Sequence, residues 1–248
     1  MCGIVGALAK RDISKVLIKG LQRLEYRGYD SAGLAVIDEG GSIQRRRMQG
    51  KVKNLEQLIE EKPVSGFCGI SHTRWATHGV PSKANSHPHL CGDAIALVHN
   101  GIIENHELLR KQQQEQGHDF DSETDTEVVV HAVHDHWLQF GDLLKAVQET
   151  VKRLEGAYAL GVIEKDRQDR LIAARKGSPL VIGLGDNEYY IASDVFALLG
   201  EASKFIYLED GDIADITING VTIYDASGKE VTRAINETEL KADNVGLG

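Results

Sequence analysis

The sequence lacks the features that mark secreted, membrane and nucleic-acid-binding proteins. Its three cysteines are too few, and odd in number, for a disulfide framework, so we expect a reducing, cytoplasmic environment. No apolar run reaches the ~18–20 residues that a membrane span needs, and Lys10 and Arg11 interrupt the N-terminal apolar stretch too early for a signal peptide. A net charge of −9 argues against a nucleic-acid partner, because phosphate binding needs a basic surface.

The composition that remains is that of a globular protein, and its N-terminus carries a reactive residue. With 248 residues, 42% of them hydrophobic, the chain can bury a sizeable core. The chain begins Met1-Cys2-Gly3, and removal of the initiator Met would give Cys2 both a thiol and a free α-amine. A terminal amine has a pKa near ~7.7–8.0, so it could act as the base for this thiol at neutral pH.

Hydrophobic periodicity predicts strands at both ends of the chain, with helices between them and beside them. The predicted helices are 13–24, 52–61, 105–116, 126–138 and 143–154. The predicted strands are 4–9, 34–37, 43–48, 67–73, 94–99, 157–163, 171–175, 180–184, 189–192, 205–208, 213–218 and 221–224. This order does not alternate as βαβ units do, so we expect sheets packed on each other and flanked by helices.

Two segments at predicted strand ends carry groups that could bind or react. Arg74 offers a planar guanidinium that can grip a carboxylate, although a surface arginine beside a capping Thr77 explains the segment equally well. Asn100-Gly101 is first of all a turn signal. The same dipeptide supplies an amide side chain and an unobstructed backbone N–H, two donors that together can form an oxyanion hole.

A third segment opens a predicted helix, and the histidines raise the question of a metal. Asp125 could hold an ammonium group and, with Arg74, would suit a free amino acid; the alternative is an acidic helix N-terminus.

The sequence has two sets of closely spaced histidines, and neither has paired metal-ligand spacing. We therefore expect no metal and interpret the helical histidines as surface or half-buried residues. The two sets are His87, His89 and Cys91 in a long polar loop, and His131, His134 and His136 on a helix.

Taken together, the motifs resemble the N-terminal glutaminase domain of the bacterial glucosamine-6-phosphate synthase family, the isomerizing glutamine–fructose-6-phosphate aminotransferases. The resemblance covers nearly the whole chain. It is carried by Cys2–Gly6, Leu24–Gly33, His72–Gly79, His99–Asn105, Ser122–Glu127, Gly177–Leu180 and Ala192–Asp194. Purine-type amidotransferases share the Cys and the Asn-Gly but usually have Gln at the place of Tyr29 and lack the Trp-Ala-Thr-His run.

The resemblance implies an α+β fold, a four-layer αββα sandwich of the N-terminal-nucleophile hydrolase type. It also implies site roles that need no cofactor: Cys2 is the nucleophile, and its freed amine is the base. The other implied roles are Asn100 and Gly101 as the oxyanion hole, Arg74, Thr77 and His78 for the glutamine carboxylate, Asp125 for its ammonium, Trp75 and His87 in a closing loop, and Arg27 and Gly28 as supports.

The resemblance further implies a partner for the ammonia that glutamine releases. In the family, a C-terminal isomerase half binds fructose 6-phosphate and receives the ammonia, and the full enzyme is expected to be a homodimer. We predict a glutaminase domain over residues 1–236 and the start of a linker over 237–248. The alternatives left open are a purine-type glutaminase domain, a non-catalytic module that binds glutamine, and a hydrolase of the same fold that acts on other amides.

Overall fold

A computed structural model describes residues 2–75 and 79–237 of the chain. Its five α-helices are α1 (Ser14–Arg23), α2 (Val52–Glu61), α3 (His106–Glu115), α4 (Thr126–Phe140) and α5 (Leu143–Val151). Its strands are β1 (Gly3–Leu8), β2 (Ser31–Ile37), β3 (Ile43–Gln49), β4 (Cys68–Arg74), β5 (His89–Cys91), β6 (Ile95–Ile103), β7 (Gly156–Glu164), β8 (Arg170–Lys176), β9 (Val181–Leu184), β10 (Tyr189–Ala192), β11 (Lys204–Tyr207), β12 (Ile213–Thr217), β13 (Gly220–Tyr224), β14 (Glu230–Val231) and β15 (Ile235–Glu237).

The strands form two antiparallel sheets. The first sheet has eight strands in the order β15-β11-β9-β10-β1-β4-β2-β3, and the second has seven in the order β14-β13-β12-β8-β7-β6-β5. Strand β1 lies between β10 and β4, with Gly3 opposite Thr73 of β4. The start of β1 and the end of β4 therefore lie side by side, at one end of these two interior strands.

Alternating side chains along the strands build three apolar layers, because successive residues of a strand point to opposite faces of its sheet. Ile4 and Val98 pack in the layer between the two sheets. Val5 packs outward under helices α1 and α2. Leu97 packs on the opposite outer side against α4 and α5. Helices, sheet, sheet and helices thus form the predicted four-layer α+β sandwich.

Strand β6 differs from its prediction at the Asn100-Gly101 pair. The strand continues through this pair to Ile103 rather than turning, and Gly101 pairs with Tyr158 of β7. Gly101 has φ +128°, and a Cβ there would lie 2.0 Å from the Ala157 carbonyl oxygen. The glycine is needed because of this close approach of two strands, not because of a hairpin turn.

The remaining elements follow the predictions with shifts of a few residues, and three short strands were not predicted. These strands are β5, β14 and β15, of two or three residues each, too short to show a period of two. Within the described residues, no helix combines the length and the apolar character needed to cross a bilayer. The predicted linker spans residues 237–248. Only its first residue, Glu237, belongs to the described part of the chain.

Candidate active site

Cys2 immediately precedes β1 and lies beside the end of β4. Its Sγ accepts a hydrogen bond from the Trp75 backbone N–H at 3.2 Å. Burial raises the pKa of the Cys2 thiol above its usual 9.0, although the Trp75 N–H and the Arg74 charge act in the opposite direction. A thiol with a raised pKa stays protonated at neutral pH, so this sulfur needs a proton acceptor before it can act as a nucleophile.

The start of β1 is held from the neighbouring segment after β10. The Ser193 hydroxyl accepts the Ile4 N–H at 3.0 Å, and the Ser193 N–H donates to the Ile4 carbonyl at 3.1 Å. The next residue, Asp194, forms an ion pair with Arg27. Arg27 therefore contributes to the site through the segment that fixes the backbone two residues beyond Cys2.

Gly28 and Trp75 form a pair beside the sulfur. Gly28 has φ +73°, and a Cβ there would lie 2.3 Å from Cζ3 of the Trp75 ring. Trp75 is 51% exposed, so it is not a core residue but a surface side chain lying over Gly28. Both the conformation and the ring above it require glycine at this position.

Asn100 of the second sheet faces the Cys2 backbone. Its amide Nδ2 donates to the Cys2 carbonyl oxygen at 3.3 Å, and its Oδ1 accepts from His72 Nε2 at 2.9 Å. The same His72 nitrogen lies 3.0 Å from the His99 carbonyl oxygen. Because both partners of His72 Nε2 are acceptors, this nitrogen must carry the proton, and it fixes the Asn100 amide with its NH₂ group toward Cys2.

A buried chain of side chains continues behind His72. His72 Nδ1, as the acceptor of a neutral ring, lies 3.1 Å from His87 Nδ1, which must therefore donate. His87 Nε2 then accepts from the Thr126 hydroxyl at 2.8 Å, and Thr126 Oγ1 accepts from His99 Nδ1 at 2.9 Å. One proton arrangement satisfies the whole chain, so the Asn100 amide rests on a network with a defined direction.

This network predicts that acid destabilises the protein above the pH at which carboxylates titrate. Burial lowers the pKa of His72 and His89 to about 3 and lowers that of His87 well below 6.5. Between pH 6.5 and 3 the unfolded chain binds more protons than the folded one, so stability falls as pH falls. Each histidine should remove up to about 1.4 kcal/mol per pH unit in this window.

Urea unfolding at pH 7, 6 and 5 measures the effect. Above pH 5 carboxylates such as Glu127, with a pKa lowered to about 2, remain ionised in the folded state, whereas Glu164, whose pKa burial raises, acts against the histidine slope. Burial also lowers the pKa of His134 and His136, so His87→Gln, which keeps both, should reduce the slope without abolishing it. A free energy of unfolding that stays constant from pH 7 to pH 5 would contradict the neutral network.

The two charged residues that the sequence paired lie at the end of β4 and just before α4, and the Arg74 charge acts on the Cys2 thiol. The Arg74 guanidinium is buried at the end of β4 and donates to the carbonyl oxygens of Gly79 at 3.1 Å and Val80 at 3.4 Å. Arg74 also lies 3.6 Å from Asp30. Asp125 precedes α4, is buried, and accepts the Ile103 N–H at 2.8 Å. Since Ile103 follows Asn100 by three residues in β6, Asp125 is fixed to the strand that carries Asn100.

Three of the predicted site residues need separate comment. Thr77 and His78 lie outside the described residues. His87 was assigned to a closing loop, but its ring is buried and held by His72 and Thr126, so its link to the site passes through His72 to Asn100. The reading of the helical histidines was wrong for His131, which is buried.

The sequence analysis assigned no role to four residues that organise the site, although each lies within a motif of the resemblance: His72, His99, Thr126 and Ser193. One signal was available for His72, because it lies two residues before Arg74 in a strand and so shares its face of the sheet. The others approach the site from β6, α4 and the segment after β10, which sequence spacing does not reveal.

Comparison with known proteins gives the family. The model of the glutamine amidotransferase domain matches residues 72–200, just over half of the chain. The chain is 53% identical over all 248 residues to glutamine–fructose-6-phosphate aminotransferase (isomerizing) of Legionella pneumophila strain Paris, and covers 41% of it. It is 55% identical over 233 residues to the Pseudomonas putida protein of the same name, covering 94% of this chain and 38% of that protein. The chain thus spans about two fifths of the length of these curated relatives.

Solved structures give the fold class. The chain is similar to glutamine phosphoribosylpyrophosphate amidotransferase of B. subtilis, with a TM-score of 0.78 and 26% identity over 92% of this chain and 50% of that one. A class-II glutamine aminotransferase domain protein from Silicibacter pomeroyi shares the fold at a TM-score of 0.61 and 17% identity, over 90% of this chain and 99% of that one.

The two-sheet sandwich is therefore that of the N-terminal-nucleophile amidotransferases. The chain belongs to the glutamine amidotransferase domain family. Within it, the purine-type protein is a distant structural neighbour, and the alternative of a purine-type domain gives way to the much higher identity with the fructose-6-phosphate aminotransferases.

Proposed function

We propose that this chain hydrolyses L-glutamine to glutamate and ammonia through a γ-glutamyl thioester on Cys2. The observation that carries the proposal is the pairing of Cys2 with Asn100, whose amide donates to the Cys2 carbonyl at 3.3 Å from the opposite sheet. The Asn100 amide thus lies beside the residue that carries the nucleophile, which supports its role as an oxyanion donor in acyl transfer. The family membership and the nearby Arg74 and Asp125 support glutamine as the substrate.

The chemistry begins with the thiol proton. The α-amine that removal of Met1 would expose accepts this proton, since the raised pKa of the Cys2 thiol demands a base; Met1 itself lies outside the described residues. The thiolate attacks the amide carbon of glutamine, and the carbonyl π electrons move onto oxygen. The C–N bond then breaks, and the amine returns its proton to the departing ammonia.

Water completes the cycle. It attacks the thioester carbon and gives its proton to the same amine, and the sulfur leaves with a proton as the free thiol. The Asn100 NH₂ group and the Gly101 N–H stabilise the oxyanion of both tetrahedral intermediates. This route uses no metal and no organic cofactor.

Recognition of glutamine divides between its two charged groups. Arg74 takes the α-carboxylate, together with Thr77 and His78, and Asp125 takes the α-ammonium. Asp125 is buried and already accepts the Ile103 N–H, so its carboxylate is held in place before substrate binds. Trp75 covers the site beside Gly28, and Arg27 and His87 support it from behind.

A larger role follows from the relatives. We propose that the ammonia is delivered to a C-terminal isomerase half that binds fructose 6-phosphate and makes glucosamine 6-phosphate, the first step of UDP-N-acetylglucosamine synthesis. Relatives that carry the aminotransferase name are more than twice as long as this chain, and this supports such a partner. A cytoplasmic, homodimeric full-length enzyme belongs to the same proposal.

An Asp125→Asn variant tests the proposed substrate. The amide keeps the shape of the side chain but loses its charge, so KM for L-glutamine should rise by about 10–100-fold, the loss of ~1.5–3 kcal/mol expected for a charged hydrogen bond. The wild-type protein should prefer L-glutamine to N-acetyl-L-glutamine, and Asp125→Asn should largely abolish that preference. Released ammonia and glutamate are measured for both substrates.

The control and the alternatives use the same assay. Asp186→Asn, at an exposed position between β9 and β10, should leave both KM values unchanged. Equal turnover of the two substrates by the wild-type chain would favour a general amide hydrolase. Binding of glutamine without any release of ammonia would favour a non-catalytic binding module.

A further inference from the structure

A second group of reactive side chains lies away from Cys2, on the outer side of the second sheet. Cys91 ends β5, His118 follows α3, and His131 lies in α4. One ligand atom from each, a sulfur and two imidazole nitrogens, lies within 4.8 Å of the others. The proposed glutamine chemistry uses none of the three. Among the described residues this is the one cluster of such donors with this spacing.

The distances within the cluster are close to those of a coordinated metal. Cys91 Sγ lies 3.1 Å from His131 Nδ1, and the His118 and His131 ring centroids are 4.6 Å apart. In a tetrahedral zinc site with Zn–S of ~2.3 Å and Zn–N of ~2.0–2.1 Å, donor atoms lie about 3.3–3.6 Å apart. Small side-chain rotations would bring the three atoms to these separations.

Each histidine also has a carboxylate behind it. His118 Nε2 lies 2.9 Å and 3.0 Å from the two Asp135 oxygens, which leaves Nδ1 as its ligand atom. His131 Nε2 is buried without a hydrogen-bond partner and lies 3.8 Å from Glu127 Oε1. Metal-binding histidines commonly donate their second N–H to a carboxylate, which fixes the ring and strengthens the ligand. A metal-bound His131 would give its orphaned Nε2–H this partner.

The surroundings exclude most water but leave one approach. Cys91 and His131 are buried, and the edge of the Phe120 ring packs against His131 with centroids 4.7 Å apart. The His118 side chain is 18% exposed, so the cluster reaches solvent on that side. Three protein ligands with an open side leave the fourth position of a tetrahedral ion to water.

We propose that Cys91, His118 and His131 form a Zn²⁺ site that ties strand β5 to helix α4. One thiolate and two imidazoles are a donor set that suits zinc. The site revises the prediction of no metal, which rested on motif spacing: its ligands come from three separate segments, one from each histidine set together with His118. Because α4 begins just after Asp125, the ion would stabilise the helix that borders the substrate site without taking part in the reaction.

Zinc binding to the untagged full chain tests the proposal. A Cys2→Ala background removes the active-site thiol as a competing ligand, and calorimetry with Zn²⁺ alone should then give one ion per chain. Adding Cys91→Ser or His118→Ala should weaken binding by at least about 100-fold. Asp135→Asn, which removes the carboxylate behind His118, should weaken it by about 10–100-fold. Co²⁺ in place of zinc should give sulfur-to-metal charge-transfer absorption.

Matched controls separate this site from adventitious binding. Cys68→Ser changes a buried cysteine in β4, and His136→Gln changes another α4 histidine; both should bind zinc and Co²⁺ like the Cys2→Ala parent. Should Cys91→Ser fail to fold, His118→Ala decides, because this partly exposed side chain can be shortened without opening the core. Absence of zinc uptake by the Cys2→Ala chain, or uptake that neither Cys91→Ser nor His118→Ala weakens, would overturn the proposal.

Discussion

Replacing Cys2 by alanine should lower the glutaminase kcat by at least about 10⁴-fold, the scale on which an enzyme loses activity with its nucleophile. The fall is this large because no other thiol can take over: Cys68 and Cys91 are both buried, and burial raises the pKa of each. Release of glutamate and ammonia from saturating L-glutamine measures kcat.

The Cys2→Ala variant should no longer turn over L-glutamine but should still bind it. Since Arg74 and Asp125 remain in place, L-glutamine should still raise the melting temperature of Cys2→Ala. In the wild-type chain, an electrophilic glutamine analogue should modify Cys2 alone, and Cys68→Ala should be labelled like wild type. Undiminished activity of Cys2→Ala, or labelling at another residue, would remove the basis of the mechanism.

Replacing Asn100 by alanine should lower kcat by about 10²–10³-fold with little change in KM. The reason is that an oxyanion donor acts on the negative charge that develops in the transition state and contributes little to ground-state binding. Steady-state kinetics with L-glutamine separates the two parameters. A rise in KM with an unchanged kcat would show that Asn100 binds glutamine rather than the oxyanion.

Variants of His72 test whether activity depends on the orientation of the Asn100 amide and not only on its presence. His72→Gln can keep an N–H donor close to the place of Nε2 and so keep the Asn100 amide oriented. His72→Leu leaves Asn100 Oδ1 without this donor, and misplacement of a catalytic group by about 1 Å can cost up to ~10²-fold. Activity should therefore follow the order wild type, His72→Gln, His72→Leu, with melting temperatures recorded to exclude unfolding.

Whether a feature of the fold or the site could be predicted from the sequence depends on how far apart along the chain the interacting residues lie. Cys2, Asn100-Gly101 and Asp125 could be singled out as candidates because each lies at a chain terminus, a strand signal or a helix start, which are local features. The pattern of elements predicted sheets packed on each other and flanked by helices, and the four-layer αββα order came from the resemblance to a family. The Asn100-Gly101 pair was misread as a turn because the carbonyl of Ala157 that demands glycine comes from another strand.

The network around the site lay beyond such local signals. The pairing of β4 and β10 with β1 in the first sheet brings His72 and Ser193 near Cys2, and the packing of the second sheet and α4 against it adds Asn100 and Thr126. The same holds for the proposed zinc ligands, whose spacing of 27 and 13 residues matches no motif. Side-chain networks that connect layers depend on tertiary packing, which hydrophobic periodicity does not predict.

The guanidinium of Arg74 already has oxygen partners in the Gly79 and Val80 carbonyls. Asp30 already lies 3.6 Å from this cation, so an incoming carboxylate would compete with the two neutral carbonyl oxygens, and its full charge favours that exchange. Affinity for glutamine and the position of the 79–80 backbone are then thermodynamically linked, so a change that loosens those two carbonyls from Arg74 should tighten substrate binding by the same factor. Residues far from the reacting sulfur could in this way tune how readily the enzyme captures its amino acid.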